Sequence, residues 1–359
     1  MKGKNYIYGL LSVFILFFVV FAPGQAGAAV CGGTPCVDSA DIIDGSVTRA
    51  DSVPLEHVIV VAESGGDFTS IQAAISSVTP TANDPYVIKV MPGTYIELVT
   101  MKSFMHLQGS GAEVTTIEAP TDTSSSYTID INDLENVQVS GFTVRGGWYG
   151  IKTYSTTVLT IINNIITDNK AAGIYNYFSE FAVIMENIVT ANGGSGILDN
   201  NSIKTMISNN MVTTNGYNGI DIGASSSYVI GNVIEGNSAS GIFGHIADRE
   251  PVIKGNVIQN NKNGIGVSMS GTAHVVITGN TISNSQFKGL FVATSNCPGK
   301  AMIVTHNKIT GSASRDVEIN VLGCTINVSY NIYDTVNNIN GAGVGMYNLK
   351  TDGTPALAL

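Results

Sequence analysis

Short runs of apolar residues spaced by two recur along this chain, separated by Gly, Asn, Ser and Thr. The repeating unit is centred on an Asn, which falls at Asn164, Asn187, Asn210, Asn232, Asn256, Asn280, Asn307 and Asn331, in steps of 22 to 27 residues. Three places before it stands an aliphatic residue, from Ile161 and Ile184 to Val304 and Val328. Two places after it stands another, from Ile166 and Val189 to Ile309, with Tyr333 last. A Gly-Ile echo follows at Gly173-Ile174, Gly196-Ile197, Gly219-Ile220, Gly241-Ile242 and Gly264-Ile265, with Gly289-Leu290 after them and Gly150-Ile151 before. A period of this length predicts a solenoid.

Spacing by two and β-branched side chains favour short strands, and the intervening Gly, Asn and Ser suit tight corners. Each unit therefore reads as one coil of three strands. A single coil has no core, but stacking coils about 4.8 Å apart pairs the strands in parallel and buries the aliphatic residues. The predicted fold is all-β: a single-stranded right-handed parallel β-helix of about ten coils of roughly 23 residues. The repeated Asn, and a second series at Asn169, Asn192, Asn215, Asn237 and Asn261, are expected to form structural ladders at the corners, because a catalytic group has no reason to recur in every coil.

Ahead of the regular coils, Val58 to Val61 reads as the first strand. Thr69-Ser-Ile-Gln72 reads as a capping box, and Ile71, Ala74, Ile75 and Val78 share one helical face. This short α-helix is placed to cap the N-terminal end of the stack, which otherwise exposes core and strand edges. Tyr86 to Met91 is a strand, Leu107 to Gly111 a corner, and Val139, Phe142 and Val144 take the places of Ile161, Asn164 and Ile166. The expected organisation is a signal peptide over 1–28, a linker over 29–56, one β-helix domain over 57–345 and a tail or partial C-terminal cover over 346–359.

The signal-peptide reading rests on Lys2 and Lys4, the apolar run Leu10 to Phe21 and the small residues Ala26-Gly27-Ala28. That run is too short for a stable membrane span. Cleavage near Ala28 predicts a secreted protein, extracellular, at the cell surface or periplasmic. Formal net charge is −10, which disfavours a nucleic-acid partner. The four cysteines suit an oxidising compartment and suggest the pairs Cys31–Cys36 and Cys297–Cys324; metal binding by them is the weaker reading.

The segment Val60-Val-Ala-Glu-Ser-Gly-Gly-Asp-Phe-Thr-Ser-Ile-Gln-Ala-Ala-Ile75, followed by Pro92-Gly-Thr-Tyr-Ile-Glu97, resembles the opening of pectinesterases, members of the pectin lyase-like superfamily of right-handed β-helices. The resemblance covers about 50 residues and implies that fold and a polysaccharide-related role. It carries no catalytic residue. The Gln motif, the Asp-Phe-Ile-Phe-Gly-type motif and the Arg-Pro-Trp motif of pectinesterases are missing, as are the Asp-His and Gly-His-Gly signatures of polygalacturonases. Trp148, the single tryptophan, has no Arg-Pro beside it.

Candidate function therefore lies at positions that vary between coils. On the Gly-Ile strands, the first and third residues after the Ile should face outward. Those pairs include Lys152 and Tyr154, Tyr175 and Tyr177, Leu198 and Asn200, Asp221 and Gly223, and Phe243 and His245. Tyr154, Tyr175, Tyr177, Asn200 and Phe243 form the expected substrate-binding set, since sugars place C–H faces on aromatic rings beside polar groups. Asp221, His245, Asp248 and Arg249 form the candidate catalytic set, a base and charge stabiliser for uronic-acid chemistry. Asp130 to Asp133 reads as solvated corners. No metal or other cofactor is called for, and Asp221 with Asp248 supplies too few oxygens for Ca²⁺.

Two functional readings stand together. One is a secreted β-helix that binds, and as a lyase, epimerase or esterase modifies, an acidic extracellular or cell-surface polysaccharide. The other is a non-catalytic surface or matrix rod. Oligomeric state is not legible from the sequence.

Overall fold

The structure, a computed structural model, describes residues 30–31, 34–35, 57–121, 126–270, 272–294, 301–333, 336–346 and 348–350. The chain divides into two compact units, Met1–Leu55 and Glu56–Leu359. In the first, Val30–Cys31 pairs antiparallel with Thr34–Pro35. The signal segment 1–28 and the proposed cysteine pairings lie outside the described residues or side chains.

The second unit is a parallel β-solenoid. Among the described residues, one hydrogen-bonded sheet holds 22 strands and another holds 11. The larger consists of two ladders joined near the C-terminus by the long strand Arg315–Ser329. Sheet I carries the Gly-Ile strands, such as Ile151–Tyr154, Ile174–Tyr177 and Ile197–Asn200. Sheet II carries strands such as Thr157–Ile162 and Val183–Met185, and sheet III those such as Ile165–Thr167 and Ile188–Thr190. Register follows the period: Ile151 pairs Ile174, Ile161 pairs Ile184, and Ile166 pairs Val189. Val139 and Val144 occupy the places of Ile161 and Ile166, as expected.

The aliphatic series is the core. Ile161, Ile184 and Ile207 are fully buried, as are Ile166, Val189 and Val212, out to Tyr333. Both Asn series form ladders. Asn187 Nδ2 donates to the Ile161 carbonyl (2.9 Å) and to Asn210 Oδ1 (3.1 Å), which also accepts from the Asn187 N–H (3.0 Å). Asn192 and Asn215 repeat this scheme at the next corner. The main series continues beyond Asn331 to Asn348, whose Oδ1 accepts from the Asn331 N–H. The Gly before each Ile is fixed by close approach: a Cβ on Gly173 would stand 2.7 Å from Val189 Cγ1 and 2.8 Å from Asn192 Nδ2.

The N-terminal helix spans Ile71–Ser76 and seats Ile71, Ala74 and Ile75 in the same core. Its cap differs from the expected box. Ser70, not Thr69, is the N-cap, with Oγ accepting from the Ala73 N–H (3.2 Å). The acidic partner comes from a later strand: Glu97 accepts from the Ile71 and Gln72 N–H groups (2.8 and 2.9 Å) and from Ser70 Oγ (2.8 Å). Gln72 is free of capping and instead accepts from the Thr100 N–H. Leu107 to Gly109 also differ, belonging to the strand Met105–Gly109 rather than to a corner.

Candidate functional site

Sheet I holds two outward columns in the expected register. One runs Asp130, Lys152, Tyr175, Leu198, Asp221, Phe243. The other runs Asn132, Tyr154, Tyr177, Asn200, Gly223, His245. Strand alternation turns these residues out while Ile151, Ile174 and Ile197 turn in.

The N-terminal half of this face is a continuous aromatic platform. Tyr127 stacks on Tyr149 (centroids 5.6 Å, planes 14° apart), Tyr149 on Tyr175 (4.6 Å, 12°), and Tyr175 on Tyr177 (5.7 Å, 16°). Tyr177 meets Tyr154 (5.7 Å) and Phe178 (4.3 Å) at tilted angles. Because the first rings stack nearly parallel along the axis, much of their faces is used within the ladder, while Tyr154 is 38% and Phe178 48% exposed. The platform therefore combines stacked tyrosines with two open rings, rather than a row of open ring faces.

Lys152 supplies the charge. Its Nζ lies 4.5 Å from the Tyr127 ring centroid, 6.0 Å from that of Tyr154 and 3.7 Å from Asp130 Oδ1. Asp130 is not a solvated corner as the sequence suggested: it is half-buried on the sheet, and desolvation raises its carboxyl pKa despite the opposing pull of Lys152 and Asn132. Burial, followed by the neighbouring phenols, raises that of Tyr175. A shallow depression lined by Leu98, Val99, Thr100, Ser126, Tyr127 and Asp130 adjoins the platform.

Of the expected binding set, Tyr154, Tyr175 and Tyr177 lie in this platform, Asn200 continues their column, and Phe243 lies farther along. Tyr127, Tyr149 and Phe178 were missed. Their signals were available: Tyr127-Thr-Ile129 and Tyr149-Gly-Ile151 put a tyrosine two places before successive inward isoleucines.

The candidate catalytic residues fall into two settings. Asp221 is on sheet I, accepting from Asn218 Nδ2 (2.8 Å); burial raises its pKa against the lowering effects of Asn218 and His245. His245 is exposed one coil on, in the neighbouring column. Asp248 and Arg249 occupy the following corner. Asp248 accepts from the Thr272 N–H and hydroxyl (both 2.7 Å), while Arg249 Nε donates to the Ala224 carbonyl (3.2 Å). Asp221 and His245 thus share an electrostatic environment, while Asp248 and Arg249 make contacts that brace the corner.

Residues 86–250 match the family model described as periplasmic copper-binding protein (NosD), and residues 198–354 match that of the right handed beta helix region. Among the described residues, no three His, Cys, Asp or Glu side chains converge. A cell surface glycoprotein of Methanothermus fervidus is 35% identical over 106 residues, which are 30% of this chain and 17% of that protein. The chain therefore matches less than a fifth of that relative's length. Among solved structures, the A-module of the mannuronan C-5 epimerase AlgE6 of Azotobacter vinelandii aligns with a TM-score of 0.63 at 18% identity, covering 78% of this chain and 87% of that one. An exopolygalacturonase of Thermotoga maritima aligns at 0.56 and 12% identity, covering 78% and 84%. Taken with the ladders and their register, these matches identify the chain as a right-handed parallel β-helix of the pectin lyase-like fold.

Proposed function

We propose that this is a secreted or cell-envelope β-helix protein that binds an acidic polysaccharide along sheet I. The observation that carries the reading is the tyrosine platform with the Lys152 ammonium set into it. Sugars combine apolar C–H faces with many hydroxyls, so open rings beside phenol hydroxyls and a cation match both parts. The names of the mannuronan epimerase and the exopolygalacturonase point the same way, and location outside the cytoplasm agrees with the cell-surface relative, the leader-like start and the periplasmic family description.

The test is binding of the protein to a panel of acidic and neutral polysaccharides. Retention of an acidic polymer, weakened about tenfold or more by Tyr175→Ala and by Lys152→Ala, is the expected result. Equal retention by both variants would sink the site; no retention by the unaltered chain would leave the rod reading in its place. A second reading, that the bound glycan is also modified, rests on the half-buried Asp221 carboxyl within electrostatic reach of His245, one coil on in the neighbouring column. It predicts unsaturated, epimerised or de-esterified product that disappears in Asp221→Asn, and binding without product retires it.

A further inference from the structure

The corner between sheets I and II requires left-handed backbone in successive coils. One column of such residues runs Asp133, Ser155, Phe178 and Asn201, with φ between 51° and 54°. A second runs Asn136, Val158, Phe181 and Lys204, with φ between 53° and 56°. Asn and Asp tolerate this conformation; a β-branched or bulky side chain there is a conformational outlier. In two adjacent coils the chain nonetheless places Val158, Phe178 and Phe181, and leaves them 47%, 48% and 47% exposed. Neither backbone preference nor burial accounts for them. Phe104, also bulky with positive φ, is by contrast half-buried, while Tyr330, 51% exposed, stacks on the His306 ring.

Phe178 adjoins the platform, and Val158 and Phe181 stand in the second column, three places on along the corner, in successive coils. Phe178 packs 4.3 Å from Tyr177 and edge-on 6.0 Å from Tyr154, and Lys204 Nζ stands 5.1 Å from the Phe181 centroid. Glu180 is exposed between the two phenylalanines and offsets the Lys204 charge, so the corner carries no net cation for an anionic group. We infer that Val158, Phe178 and Phe181 form an apolar wall of the glycan site, carrying a bound chain off the tyrosines and around the corner by contact with the C–H faces of its sugars. This rests on the polysaccharide reading of sheet I. It adds a specificity element: neutral, apolar sugar faces are taken at the corner and the carboxylate near Lys152.

The test replaces Val158 and Phe181 together by Asn, the residue their own column uses at Asn136. Phe178 is left in place because it touches the platform rings. Asn fits the backbone better, so the Val158→Asn/Phe181→Asn protein should melt about 2–4 °C higher. Its affinity for the polymer retained by the unaltered chain should fall about tenfold, the scale of losing open ring and aliphatic contacts. Higher stability with unchanged affinity overturns the wall while leaving the platform intact. So does a change of oligomeric state in sedimentation with affinity unchanged, which would assign the ridge to self-association. Failure of the unaltered chain to bind any polysaccharide overturns wall and platform together.

Discussion

At the scale of single residues, each ladder asparagine is a junction between three coils. Asn210 donates through Nδ2 to the Ile184 carbonyl (2.9 Å) and Asn232 Oδ1 (3.0 Å), while its own Oδ1 accepts both N–H groups offered by Asn187 (3.0 and 3.1 Å). All of this happens at 1% exposure, where water does not replace a missing partner. Asn210→Ala should therefore cost about 1–3 kcal/mol, the penalty of leaving buried polar groups unmatched. Denaturant unfolding measures it directly, and an unchanged midpoint would mean the ladder is ornamental to stability. The repetition that makes Asn210 indispensable to packing also removes it from consideration as a ligand contact. Tyr175, by contrast, has Lys152 and Leu198 as its column neighbours and is free to differ.

At the scale of elements, the N-terminal helix shows how a strand completes a cap. Its six residues are too few to hold themselves, and its first N–H groups are met by Glu97, from the residues just after the strand Gly93–Ile96. Glu97→Ala should lower stability by about 1–2 kcal/mol, with the loss of a carboxylate at a helix N-terminus and of its hydrogen bonds. Faster amide exchange at Ile71 and Gln72 would be its local signature; unaltered protection there would show that core packing alone holds the helix. The same geometry explains what the pectinesterase-like segment conveys. Tyr95 is buried with its hydroxyl on the Met91 carbonyl (3.0 Å) and Glu97 caps the helix, so the Gly-Thr-Tyr-x-Glu segment, a strand rather than a turn, is architectural. Strand register was legible because inward Ile, Asn and Gly recur; it correctly paired Lys152 with Tyr175 and Tyr154 with Tyr177. Asp130 was not, because its coil carries Thr128-Ile129 in place of Gly-Ile and Phe142 in place of the ladder Asn, so the repeat does not mark its strand. The cap was misplaced because its acid is supplied 27 residues away from Ser70.

At the scale of the whole molecule, the interior is not uniformly apolar. The inward column that should continue with aliphatic residues instead reads Thr153, Asn176, Asp199 before returning to Ile222. Asp199 is fully buried. Its Oδ1 accepts from Asn176 Nδ2 (2.7 Å) and Thr205 Oγ1 (3.3 Å), its Oδ2 from Ser227 Oγ (2.5 Å). Only neutral groups surround it, with Ser202 the further contributor, and desolvation raises its pKa against their hydrogen bonds. In the unfolded chain the same carboxyl titrates near the ordinary value of about 3.9. Between that value and the raised one, the folded state holds a proton that the unfolded state has released, so stability is full below the ordinary range and declines as pH rises. Asp130 and Asp221 are raised as well and act in the same direction, whereas Glu235 and Glu318 are lowered and act oppositely. Asp199→Asn isolates the interior group. Its carbonyl oxygen still accepts from Asn176, and its amide donates to Ser227. Because coils are coupled to their neighbours in a stack, a charge in this central block should weaken the rod on both sides of it. Melting midpoints followed upward from below the ordinary carboxyl range should fall with pH in the unaltered protein and fall less in Asp199→Asn, with the two converging at the acidic end. Parallel profiles would show that Asp199 carries the same charge folded and unfolded, and that its neutral hydrogen bonds alone sustain a buried carboxylate.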